Sequence, residues 1–282
     1  MFSGWVSILF SLVPGAFSET PIAPTIPPSL AEIGQALARY ERTPRPSRSA
    51  AELARLSDSL QNLLDQQSDE DGQREVYRLL THVHDWQGNQ ASCNQAWQEY
   101  VKLLGKRSET ERVTALKSET KEALIMGRTS SALAACSALA EATSNKTVHR
   151  FAAFHEAMCH LWNNDPKTAC KMWNELAQAE DKDEWTMRSH FQIALYNTRR
   201  RNTSIAIKGW NDFMEEYSDS PLIPAARHFQ AVNLYQSGYR YRALRSLQDL
   251  ITKYPKGAYV EPSKLLIQKI KQDLLQRTDP FD

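Results

Sequence analysis

Glycine is scarce in this chain, at 10 of 282 residues, about half the usual share of roughly 7%. Few sites therefore exist for the positive-φ turns and bulges of an all-β fold or for a phosphate-cradling loop. Net charge is also nearly absent: 34 Lys and Arg stand against 33 Asp and Glu, a formal +1. No field results that would draw nucleic acid, an acidic substrate or an anionic membrane surface. The 4 cysteines, Cys93, Cys136, Cys159 and Cys170, form no Cys-x-x-Cys pair, which argues against a zinc ribbon or a thioredoxin-type site. Among the histidines, His82 with His84 and His155 with His160 are spaced so that each pair diverges on a helix, and no His-Glu-x-x-His occurs. Gly-x-x-x-x-Gly-Lys, Gly-x-Gly-x-x-Gly and Gly-x-Ser-x-Gly are missing as well. The expectation is a chain with no metal, no cofactor and no catalytic constellation.

What is present is ordinary globular composition, 41% hydrophobic and 24% charged, with long runs of helical periodicity. Residues 1–18 contain no charged residue or histidine, and the apolar stretch from Trp5 to Val13 has the length of a signal-peptide core but not of a membrane span. Pro14 and Gly15 break it just before Ala16-Phe17-Ser18, which places small residues for cleavage after Ser18. A basic residue before the core, usual in export signals, is lacking. Export to the periplasm or cell envelope through a cleaved signal is expected, with an uncleaved anchor and a cytosolic segment as alternatives. Residues 19–47 hold six prolines and are expected to form a tether, interrupted by a short helix in which Leu30, Ile33, Ala36 and Leu37 share a face. Periodicity then predicts a helix over 48–68.

The C-terminal half repeats every 37 residues. Ala157, Ala194 and Ala231 form one column; Ala132, Ala169, Ala206 and Ala243 a second; Leu139, Leu176, Phe213 and Leu250 a third; Cys136, Trp173, Trp210 and Leu247 a fourth. Small residues let two antiparallel helices approach, and the large ones fill the space beside them. The unit resembles the tetratricopeptide repeat, a pair of helices of about 34 residues. Its best copy spans 225–255, with Ala231 and Ala243 at the small positions, Gly238 at the turn and Pro255 at the close. Copies near 150–181 and 187–218 keep the alanines and the tryptophan but carry Asn164 and Arg201 at the turn; more divergent ones lie near 113–146 and 74–107. The Tyr254-Pro255 ending and Asp219-Ser220-Pro221 are similar to repeats in bacterial envelope proteins of the Tol-Pal-associated coordinator and barrel-assembly lipoprotein type. Asp165-Pro166, Ser220-Pro221 and Asn202 are expected as helix starts.

The resemblance implies an all-α fold, a right-handed superhelical solenoid of antiparallel helix pairs. The expected organisation is a signal peptide (1–18), a tether (19–47), divergent helical repeats (48–107), repeats with a C-terminal capping helix (108–276) and a tail (277–282). The function implied is a non-catalytic scaffold that binds a protein partner of the envelope; a glycan or peptidoglycan binder and an enzyme with an unmarked site are the alternatives. Tetratricopeptide solenoids bind peptides along the concave side lined by their first helices. The matching positions here give Phe151, Phe154, Met158, Leu161 and Trp162, then Arg188, Phe191, Leu195, Thr198 and Arg199, then Ala225, His228, Val232, Tyr235 and Gln236. The same stripe of Phe, Met and Leu also describes a packed core, reached by turning the first helices by one position. Trp162, Phe151 and Arg199 fall at its edge in either register. Cys159 and Cys170 are about equidistant from the turn near Asn164, so a disulfide and two buried thiols are both open. Arg199-Arg200-Arg201 and Arg240, Arg242 and Arg245 form basic clusters, read as solvated helix ends or as a contact for an acidic peptide or glycan.

Overall fold

The computed structural model of the chain describes residues 28–43 and 49–276. The signal-like segment 1–18, the stretch 19–27 and the tail 277–282 lie outside the described residues. Thirteen helices and no strand occur among the described residues: α1 Pro28–Arg42, α2 Ala50–Gln66, α3 Glu70–Gln87, α4 Gln90–Leu104, α5 Glu109–Met126, α6 Thr129–Ala142, α7 Lys146–Trp162, α8 Pro166–Ala177, α9 Glu184–Arg199, α10 Thr203–Glu216, α11 Ile223–Gln236, α12 Arg240–Lys253 and α13 Val260–Gln276. No helix among them is long and apolar enough to cross a membrane. The chain divides into two compact units between Pro166 and Lys167.

In the unit that ends at Pro166, α1 packs on α2 and α3, α3 on α4, α5 on α6, and α6 on α7. In the unit that begins at Lys167, α9 packs on α10, α10 on α11, α11 on α12 and α12 on α13, while the first helices also meet directly, α9 with α11 and α11 with α13. Each unit is thus a stack of antiparallel helix pairs of tetratricopeptide type. The columns of the repeat explain why. Ala132, Ala157, Ala169, Ala194, Ala206, Ala231 and Ala243 are all buried, as are Cys136, Trp173, Trp210 and Leu247. At the α9–α10 crossing a Cβ added to Gly209 would stand 3.3 Å from the Cβ of Ala194, so two small residues permit the close approach. Phe191 then meets Trp210 edge to face at 5.0 Å and Phe213 at 5.5 Å, filling the space beside them.

Capping sets the helix ends. Ser49, Asp69, Asn89 and Asp183 accept from backbone N–H groups of the first turns they precede, and Ser108 with Glu111 completes a reciprocal box. Pro166 opens α8 as the sequence suggests. Two other starts differ. The helix after Ser220-Pro221 begins at Ile223, with Pro224 in its first turn, because Ser220 Oγ caps a preceding turn at Leu222 N. Asn202 precedes α10 but gives it no side-chain cap; its amide donates to Asn197 Oδ1 instead.

The helix within the proline-rich region is packed rather than tethered loosely: Leu30, Leu37 and Tyr40 are buried with Leu53, Leu56, Leu60, Val76 and Leu79. Tyr40 meets Trp86 edge on at 6.4 Å, and the Trp86 indole donates to Glu41 at 3.1 Å. The helix expected over 48–68 is α2, Ala50–Gln66.

Candidate functional site

The residues singled out from the first helices do not form one continuous exposed face. Phe151, Phe154, Met158 and Phe191 are each at most 6% exposed, and His228 is 9% exposed. Lys117 and Lys121 of α5 stand 5.7 and 5.9 Å from the Phe151 ring, and Phe191 lies in the Trp210–Phe213 cluster. First helices touch both their own partner and the next first helix, so their apolar stripe is wider than a single contact requires. Trp162, Arg188 and Tyr235 remain half-buried and Arg199 is exposed. The cysteines are free thiols. Cys159 is drawn into a core with Ala123, Leu124 and Ala132, which removes it from the bond considered with Cys170. Burial pushes Cys93 up to about 11 and Cys159 up to about 12, so these thiols stay protonated and are poor nucleophiles near neutral pH.

His228 sits against Ser263, whose hydroxyl lies 3.0 Å from its Nδ1, and against the rings of Phe229 and Tyr259. Burial pushes its pKa down to about 4, so the folded chain holds it neutral while the unfolded chain takes up a proton near pH 6.5. Its contribution to stability is full above about pH 6.5 and falls as pH drops toward about 4. About 2 kcal/mol should be lost between pH 7 and pH 5. Urea midpoints at the two pH values check this, and His228→Gln should flatten the difference.

The turns joining α9 to α10 and α11 to α12 form a second region. Both close on a residue in the left-handed conformation, Arg201 at φ 58° and Gly238 at φ 85°, and Asn164 before α8 does the same at φ 62°. The bonds repeat: Arg201 N donates to Thr198 O and Asn202 N to Asn197 O, as Gly238 N does to Tyr235 O and Tyr239 N to Leu234 O. Around these turns Arg199, Arg200, Arg201 and Arg242 are exposed. Tyr239 is 52% and Tyr241 74% exposed, and Arg242 lies over the Tyr239 ring at 5.5 Å. Beside them opens a cleft lined by Arg201, Val232, Tyr235, Gln236, Leu266 and Lys269. Three of these, Val232, Tyr235 and Gln236, are positions the repeat places on the first-helix face.

A third cluster, missed from sequence, is buried between α1, α3, α5 and α6. Arg78 donates to Glu75 at 2.7 Å, to Glu122 at 3.2 Å and to Glu119 at 3.4 Å. His82 Nε2 donates to Glu119 Oε1 at 2.5 Å. Arg128, 3% exposed, makes no hydrogen bond through its guanidinium but stands 3.7 Å from Glu41 and Glu119 and 3.9 Å from Glu122. Burial alone would raise the Glu119 pKa, yet His82, Arg78 and Arg128 hold it well below the usual carboxylate range. His82, Glu119 and Glu122 bring one ligand atom each within 4.8 Å of one another. A cation there would have to break the His82–Glu119 bond and sit beside two guanidinium groups, so ion pairing describes the cluster better than coordination. A signal was available: Glu119 follows His82 by 37 residues, one repeat.

No family model matches the chain, and no curated protein does. Among solved structures it is similar to a tetratricopeptide repeat protein from Parabacteroides merdae, at 15% identity and a TM-score of 0.41 over 79% of each chain.

Proposed function

We propose that this chain is a non-catalytic scaffold of the bacterial cell envelope that holds a protein partner on the outward side of its first helices. The observation that carries the reading is the placement of Arg188, Arg199 and Tyr235 in the unit that begins at Lys167: all three belong to the repeat's ligand-facing positions and all keep accessible surface. Aromatic and Arg side chains are the residues that dominate protein interfaces. The helix pairs themselves supply a rigid stack on which such side chains are held at fixed spacing. The apolar stretch at 5–13 and the small residues before Glu19 support delivery to the envelope, and the resemblance to the coordinator and barrel-assembly repeats supports a role within an envelope complex.

Cross-linked capture from an envelope fraction, with the full chain as bait, tests the reading. The expected result is a protein recovered by the natural chain and lost, with helix content unchanged, from an Arg188→Ala, Arg199→Glu variant. Equal recovery by both would overturn the assignment of the face. A reporter enzyme joined after residue 30 and assayed for export tests the location.

A further inference from the structure

We infer that α1 is a releasable strap, a helix that detaches from α2 and α3 as a unit while the helices after it stay folded. The inference goes beyond the scaffold reading and does not depend on it. Among the described residues of α1, Leu30, Leu37, Tyr40 and Glu41 are buried. Three are apolar anchors. The fourth is an acid in the last turn of a helix, where the dipole disfavours negative charge. The Trp86 indole of α3 donates to its carboxylate at 3.1 Å. Arg128, at the start of α6, brings its Nε only to 3.7 Å, too far for a hydrogen bond. That Nε and both terminal guanidinium nitrogens are buried without a hydrogen-bond partner. The docked helix therefore keeps a guanidinium out of water with none of its donors used. This cost falls when the last turn of α1 lifts and water reaches both charges.

A second observation is independent of the charges. Gly34 stands in the middle of α1, and a Cβ built on it meets no atom within 4 Å. No close approach requires glycine there, yet it weakens the helix by about a factor of four relative to alanine. At 15 residues, α1 is also near the length at which an isolated helix is marginal in water. Its helical state thus comes from its seat, and α1 melts when it leaves. Melted, the segment spans up to about 50 Å in place of about 22 Å as a helix. Release lengthens the connection between the proline-rich residues before α1 and the helices after it. It also bares Leu53, Leu56, Val76 and Leu79, the side chains on which α1 packs.

Native-state amide exchange on the full chain, read by mass spectrometry over a urea series below the unfolding transition, tests this. The amides of α1 should exchange at least about tenfold faster than those of α3 and α5, with little dependence on urea, as a local opening does. Gly34→Ala should slow exchange in α1 about fourfold and leave α5 and α6 unchanged. Glu41→Ala should act in the opposite direction, because Trp86 loses its acceptor and Arg128 loses a neighbouring charge. Exchange in α1 should then speed up about tenfold or more, with α5 and α6 still protected. Three results would overturn the inference: exchange of α1 in step with α3 and α5, a Gly34→Ala effect spread evenly over the unit, or loss of protection in α5 and α6 on Glu41→Ala. Each would make α1 part of one cooperative core.

Discussion

Glu119→Ala is expected to destabilise the unit that ends at Pro166 by about 3–5 kcal/mol, the cost of deleting one partner from a buried ion-pair network. Glu119 is 2% exposed and faces His82, Arg78 and Arg128. Without it, Arg128 keeps only the carboxylates of Glu41 and Glu122, at 3.7 and 3.9 Å, and still makes no hydrogen bond. The loss should appear in urea unfolding and as faster amide exchange in peptides covering α3 and α5. Joint replacement of His82, Glu119 and Arg128 by leucine should recover part of it, because the buried Arg128 charge is removed along with its partner while Arg78 keeps Glu75 and Glu122. The sign of the pH effect follows from the depressed Glu119 pKa. Its contribution is fully present above the unfolded carboxylate value near 4.3 and is lost as pH falls below that toward the folded value. A variant with Glu119→Gln should therefore lose the acid-side part of the stability profile while keeping the rest.

The parts of this molecule that were legible in the sequence are those fixed by size. Ala194, Ala206, Ala231 and Ala243 recur because two helices cross there, and a small side chain at a crossing leaves a periodic trace whatever surrounds it. The turn residues Asn164, Arg201 and Gly238 align for a similar reason, since one backbone conformation recurs at each. Orientation was harder to read. Phe191 and Phe154 have the spacing of a groove stripe and of a core stripe alike, and which surface they face depends on a helix rotation of one residue. Only the Trp210 and Phe213 rings packed on Phe191 decide it. The short helix bearing Leu37 was legible from its apolar face, but what it packs on was not: Tyr40 in the same helix meets Trp86, 46 residues further along the chain. The buried charges were invisible for a different reason. Glu41, Arg78, His82, Glu119 and Arg128 each look like surface residues in their own helix, and their burial arises from where several helices meet.

Thr198→Val should be the most damaging conservative change in the unit that begins at Lys167. The Thr198 hydroxyl accepts from Trp210 Nε1 at 2.9 Å and from Asn233 Nδ2 at 2.8 Å, while donating to Ala194 O at 3.0 Å. One oxygen thereby joins α9, α10 and α11. Trp210 and Asn233 are fully buried, so neither donor can turn to water when the acceptor is lost. Asn233 Nδ2 retains Phe229 O at 2.7 Å, but Asn233 Oδ1 already lacks a partner and the indole would have none. Valine matches threonine in shape, so the change isolates the hydrogen bonds from packing. The expected loss is about 2–4 kcal/mol, the desolvation of an orphaned indole donor with a weakened amide. Thr198→Ser keeps the oxygen and removes one methyl group, and should cost about 1 kcal/mol. Urea unfolding of the two variants checks the difference. Equal losses would mean that the methyl group, rather than the shared acceptor, holds the three helices in register.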